Sequence, residues 1–182
     1  MKNNLDNLKT AFEQKKNLEF LFFWGHQIPS DGSITKSCFS QWYPATFIEN
    51  DIQFANTEQY MMAKKAELFG DLETQKRILA AHSPKEMKAL GRLVKNFDAD
   101  LWNNHKYDIV KQGNFLIFSQ NKEMGDFLLN TNQKVIVEAS PYDRIWGIGM
   151  LESHPHSKNP TLWNGENLLG FALMEVRALL KM

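Results

Sequence analysis

From residue 56 onward the chain carries helix start and stop signals in close succession, and nothing else in it constrains the fold so tightly. Asn56 stands before TEQYMMAKKAELF with Gln59 at the third helical position, a capping-box-like start, and Gly70-Asp71 closes the segment. Asp71 can in turn cap a short helix over 72–81. Ser83, Pro84 and Glu86 take the cap, first and third positions of the next helix, which is expected to run to about Val94. Asp98 opens DADLWNNHKYDIVKQGNFLIFSQN, a long helix bent or eased near Gly113, and another helix spans 122–130. Asn164 is expected to cap the last helix, whose Leu168, Ala172, Leu173, Val176 and Leu180 form an apolar stripe.

Strand signals are fewer. FLFFW (20–24) and KVIVEAS (134–140) read as buried strands, and two short strands near 45–49 and 52–55 flank Asn50-Asp51, a hairpin turn. Ahead of them Leu5, Leu8 and Phe12 lie at helical spacing. With 182 residues, 43% of them apolar, and no repeat or linker, the expectation is α+β: a mostly helical single domain over 1–182 packed around a small β-sheet, with 1–18 as an N-terminal helical extension.

Lys plus Arg and Asp plus Glu number 21 each, so no global field draws the chain to a phosphate backbone or an anionic membrane. The single cysteine, Cys38, rules out an intrachain disulfide and gives no support to a cysteine-based zinc site. HPH at 154–156 is awkward for chelation, and no metal or cofactor is expected. No apolar run approaches spanning length and the first residues lack the apolar core of a signal peptide, so the expected location is cytoplasmic, with no membrane partner. Oligomeric state is not legible.

Four clusters carry chemical interest. Glu58 and Lys65 are separated by about 700° of helical rotation, close to two full turns, so they share a face with Met62. From spacing alone a solvated charged face is the favoured reading, ahead of a site. In SPYDRIWGIGM (140–150), Asp143, Trp146, Gly147 and Gly149 follow a strand, which suits a nucleotide or sugar pocket and equally a tight turn beside a core tryptophan. In LWNGENLLG (162–170), Asn167 is polar in the first turn of an apolar helix. FFWG (22–25) and SQWYP (40–44) put aromatic rings beside polar loops, as base stacking or a core would. No Walker loop, GxGxxG, GxSxG or HExxH motif is present.

Taken in order, FFWG, SQWYP, TEQYMMAKKAELFGD, SPKEMKALGR, DxxLW, VEASPYDRIWGIG and WNGENLLGFALMEVR resemble the NADAR, or YbiA-like, family from about Phe20 to Leu179. The resemblance implies a YbiA-like fold and an N-glycosidase that cleaves a ribose–nitrogen bond. Its implied substrates are phosphorylated ribosylamino-pyrimidine intermediates of riboflavin synthesis or ADP-ribosylated guanine. Partners would then be a small nucleotide or ADP-ribosyl substrate, or an ADP-ribosylated nucleic acid gripped by a local patch of Lys64, Lys65, Lys85 and Arg92. By position, the family pattern gives catalysis to Glu58, Lys65 and Asp143, and substrate binding to Phe23, Trp24, Gly25, Ser40, Trp42, Trp102, Trp146, Gly147, Gly149 and Asn167. One departure stands out: many members carry Ser-Asn where this chain has Ser40-Gln41, and the longer amide bears on substrate choice. A non-catalytic module that binds ADP-ribose or NAD is the alternative reading.

Overall fold

The structure, a computed structural model, describes residues 4–182. The first three positions of the expected N-terminal extension lie outside them. Among the described residues there are four strands, β1 (Phe20–Phe23), β2 (Phe47–Glu49), β3 (Ile52–Phe54) and β4 (Val135–Glu138). The α-helices are α1 (Leu5–Glu13), α2 (Thr57–Leu68), α3 (Leu72–Ala80), α4 (Pro84–Gly91), α5 (Ala99–Gln120), α6 (Lys122–Leu129) and α7 (Leu168–Leu179). The class is α+β, as the residue patterns indicate, but the strands form two separate two-stranded ladders. The chain divides into two compact units, one of residues up to Ser40 together with Glu123–Met182, the other of Gln41–Lys122.

In the first unit β1 and β4 run parallel, with Phe20 opposite Val135 and Phe23 opposite Glu138. Val135, Ile136 and Val137 are all buried, which explains why β4 reads as an unbroken apolar run. α7 covers β4 with the buried stripe Leu169, Ala172, Leu173 and Val176. Gly170 permits that approach, because a Cβ there would strike the Ile136 carbonyl and the Asn167 amide. Arg177 is buried on the same helix. Burial pulls its pKa down, while its guanidinium donates to Thr131 Oγ1 at 2.6 Å and to the Lys134 carbonyl at 2.9 Å.

The start of α7 corrects the expected cap. The cap position belongs to Asn167, in the left-handed region at φ 55°, and not to Asn164, whose N–H donates to the Ile148 carbonyl. Asn167 does not cap with its side chain. Instead its Nδ2 donates to the Ile136 carbonyl and its Oδ1 accepts from the Glu138 N–H, both at 3.0 Å. An asparagine tolerates the left-handed backbone that this arrangement requires.

The second unit is built on α2, which packs against α3, α4 and α5. Every residue from Thr57 to Ala63 is buried, so the first two turns of this helix are enclosed rather than amphipathic, while Glu67 near its end is exposed. Its cap is as expected, Asn56 Oδ1 accepting from the Gln59 N–H at 2.8 Å. The Gln59 side chain accepts from the Ala55 N–H and donates to the carbonyls of Ile78 and Leu79, joining the start of α2 to the end of α3. β2 and β3 form a hairpin whose Asn50 and Asp51 both have positive φ, 49° and 63°, matching a primed two-residue turn. α5 runs without interruption through Gly113 over its 22 residues. That glycine accommodates packing, since a Cβ would come within 2.7 Å of the Tyr60 ring. Among the described residues no helix is long and apolar enough to cross a membrane.

Candidate active site

In the first turn of α2, Glu58 is only 3% exposed. A solvated charged face, one of the two readings its spacing allowed, is therefore excluded for it. Its N–H donates to the Gln41 carbonyl at 2.9 Å, and the Thr57 hydroxyl donates to the same oxygen at 3.2 Å. A carboxylate here lies in the favourable field of a helix N-terminus, shielded from water by the surrounding helices.

Two turns on, Lys65 is half-buried. Its ammonium donates to the Gly91 carbonyl at 2.8 Å and lies 4.4 Å from the Phe97 ring centroid and 5.6 Å from that of Trp102. Burial lowers its pKa from the ordinary lysine value. Its neighbour Lys64 is held differently. Burial opposes its charge too, but hydrogen bonds and ion pairs with Glu49 and Glu67, at 3.0 and 3.1 Å, outweigh that and raise its pKa. Gly91 places its backbone by Lys65 because it has no side chain, as a Cβ would collide with the Met62 sulfur. In the same unit Trp42 is half-buried, with Lys88 Nζ 6.0 Å from its ring centroid. Of the other two members of the basic patch, Lys85 and Arg92 are exposed.

In the first unit, Asp143 holds a loop together. Its Oδ1 accepts from the N–H groups of Ile145 at 2.9 Å and Trp146 at 2.7 Å, and its carbonyl accepts from the Gly149 N–H. Gly147 passes so close to β4 that a Cβ would lie 2.8 Å from the Glu138 carbonyl, and Gly149 has φ +67°. The Gly147 carbonyl accepts from the Asn167 N–H at 3.1 Å, so the WGIG loop and the start of α7 are bonded together. Asn167 itself is fully buried, with its amide engaged by β4.

At the end of β1, Phe23 is core, packed edge-on against Phe39, whereas Trp24 is 54% exposed and Gly25 follows at φ +89°. Trp24 pairs with the exposed Tyr142, their ring centroids 6.1 Å apart. A cavity of about 370 Å³ opens beside Trp24, walled by Phe23, Trp24, Ala139 and Leu151. Its polar lining is Ser153 with Lys36 and Glu152, which form an ion pair at 3.3 Å. Ser40 closes the 3-10 turn Lys36–Phe39, donating its N–H to the Ser37 carbonyl.

Phe97 in the second unit, and Tyr142, Lys36 and Glu152 in the first, are not among the residues that motif order marks. Tyr142 lies inside the ASPYDRIWG motif, so its signal was present there. A lysine paired with a glutamate 116 residues later left none.

The NADAR domain pattern matches residues 22–181. The chain belongs to the NADAR family. An N-glycosidase of Acanthamoeba polyphaga mimivirus is 48% identical over 144 residues, covering 76% of this chain and 85% of that protein. An N-glycosidase of Nostoc punctiforme is 31% identical over 140 residues, with 77% and 83% covered. The NMR structure of the E. coli protein YbiA has the same fold, with a TM-score of 0.71 at 24% identity over 90% of this chain and 85% of that one. This NADAR chain is accordingly an enzyme, a hydrolase of N-glycosyl compounds, rather than a non-catalytic reader.

Proposed function

We propose that this NADAR protein hydrolyses the bond between the anomeric carbon of ribose and the nitrogen of a small phosphorylated ribosylamino-pyrimidine, with Glu58 as general base. The burial of Glu58 in the enclosed first turn of α2 carries this reading, because a carboxylate kept from bulk water on a rigid element suits work on a developing positive charge. As the C–N bond lengthens, positive charge spreads over the sugar ring. Glu58 stabilises it and takes a proton from the attacking water. The water oxygen bonds to the anomeric carbon, and the nitrogen leaves with the bonding pair and a proton.

Lys65 is the proposed source of that second proton. Burial weakens its hold on the proton, and the Phe97 and Trp102 rings shield it. The same lowered pKa favours a second role, in which the neutral amine adds to the anomeric carbon of the ring-opened ribosylamine and expels the base nitrogen as an amine, leaving a Schiff base that water then hydrolyses. Borohydride added during turnover would trap that adduct on Lys65.

A small substrate is preferred to ADP-ribosylated nucleic acid because the net charge is zero and Lys64 is neutralised by two glutamates. The test is release of free base from the ribosylamino-pyrimidine phosphate, run beside release of ADP-ribose from guanine-ADP-ribosylated DNA. Turnover of the first is expected. Turnover of the DNA alone would replace the substrate assignment, and turnover of neither would overturn the proposal.

A further inference from the structure

Gln41, buried to 7% exposure, lies at the amino end of the second unit, and its two faces are engaged unequally. Its carbonyl takes both the Glu58 N–H and the Thr57 hydroxyl, tying its backbone to the first turn of α2. Its side-chain Oε1 accepts from Asn114 Nδ2 at 3.0 Å. Asn114 is buried on α5, and the same Nδ2 donates at 2.8 Å to the Val110 carbonyl one turn back.

This second bond fixes which way both amides face. A carbonyl only accepts, so Asn114 must offer its NH2 to Val110 and to whatever lies beside it. Gln41 must then offer oxygen to Asn114, which directs its own NH2 elsewhere. That Nε2 is buried and, among the described residues, has no acceptor within hydrogen-bonding distance. A buried donor left unmatched is costly, and native interiors rarely keep one without a use.

We infer that the Gln41 carboxamide is a fixed donor for a ribosyl hydroxyl oxygen of the substrate, which makes Gln41 a specificity-determining residue. The inference rests on Glu58 as the catalytic carboxylate. Gln41 and Glu58 are joined through the main chain and both buried, at 7% and 3% exposure, so the unmatched donor belongs to the same part of the second unit as the catalytic carboxylate. The groups flanking an anomeric carbon are hydroxyls, and a donor locked by Asn114 is ordered before the substrate arrives, so binding costs little in ordering. A substrate lacking the matching oxygen would leave the donor orphaned, and sites built this way discriminate strongly.

The experiment uses the full chain, wild type and Gln41→Met and Asn114→Asp variants. It measures turnover of the ribosylamino-pyrimidine phosphate and the melting-temperature shift given by ribose 5-phosphate. Gln41→Met should raise KM about tenfold or more with kcat little changed, and abolish the ribose 5-phosphate shift. Asn114→Asp keeps Gln41 but replaces the NH2 that faces it with an acceptor. The amide should reverse and KM should rise as in the first variant, and this decides the matter if Gln41→Met fails to fold. Wild-type turnover with unchanged KM in both variants would overturn this inference alone, even if their melting points fell. A wild type that neither turns over nor responds to ribose 5-phosphate overturns the functional reading and this inference with it.

Discussion

Glu58 and Asp143 are acidic residues from the two units of one chain, and the fold treats them in opposite ways. Asp143 is half-exposed, and one of its oxygens takes two backbone N–H groups of the loop it begins. Glu58 is buried in the first turn of a helix whose cap, Asn56, already satisfies the Gln59 N–H, so the cap does not depend on the carboxylate. One acid builds structure, and the other is held by structure built around it. The distinction matters because motif order alone gives both the same standing. A carboxylate whose removal would unravel its own loop has a sufficient reason to be there, whereas a carboxylate buried in the first turn of a helix is of the kind that functional sites use.

The largest effect should come from Glu58→Gln. The amide keeps the shape but cannot accept a proton from water, so turnover should fall by roughly 10²–10⁴, with circular dichroism unchanged. Wild-type turnover in this variant would remove Glu58 from the reaction. Lys65→Met should come next, with a loss of about 10² if the lysine protonates the leaving nitrogen. In the wild type the same role makes the rate fall as pH rises through the lowered pKa of Lys65, whereas a Schiff-base role makes it rise. Stability has its own sign. The folded chain releases the Lys65 proton more readily than the unfolded one, so stability should increase as pH rises through the window below the ordinary 10.5, and Lys65→Met should flatten that increase. Lys64→Ala gives the contrast, losing partly exposed ion pairs worth about 0.5–1 kcal/mol while turnover is retained.

The comparison is sharpest at Asp143. Asparagine retains a carbonyl oxygen for the N–H groups of Ile145 and Trp146, and alanine does not. Asp143→Ala should therefore cost about 1–3 kcal/mol in urea unfolding, and Asp143→Asn should restore most of that stability. If Asp143→Asn is as stable as wild type yet inactive, its charge also acts in the reaction and the contrast with Glu58 breaks down.

Much of this was legible in the residues for local reasons. Caps at Asn56, Asp71, Ser83 and Asp98 act within three residues, so sequence places the starts of α2 to α5 directly. The two expected buried strands do pair, but their partnership spans more than 100 residues and the parallel register has no local signature. The expected cap at Asn164 gives way to Asn167 for the same reason. Its amide bonds β4, about 30 residues back, and that tertiary demand moved the start of α7 past Asn164. The burial of Glu58 was equally hidden. Spacing puts Glu58 and Lys65 on one face but cannot say that the first turns of α2 are enclosed, since enclosure comes from the helices that follow. Motif order marked these residues as a set, and only burial separates the acid in the helix from the acid in the loop.

Asp71 offers the smallest test and the cleanest check on how the fold uses a structural carboxylate. It ends α2 and starts α3. One oxygen accepts from the Thr74 N–H at 3.1 Å, and the other accepts from the Lys95 N–H at 2.9 Å. The Lys95 bond, followed by those to Thr74, holds its pKa at about 2, below the ordinary 3.8. The folded state keeps Asp71 ionised more strongly than the unfolded state does, so the stability it contributes is complete above 3.8 and is lost as pH falls through about 2. Asp71→Asn retains one acceptor and cannot titrate. Its unfolding free energy should therefore be lower than wild type at neutral pH and converge on it in acid. If the two curves stay parallel from pH 5 to pH 2, the carboxylate contributes only its shape, and charge cannot be what fixes the junction between α2 and α3.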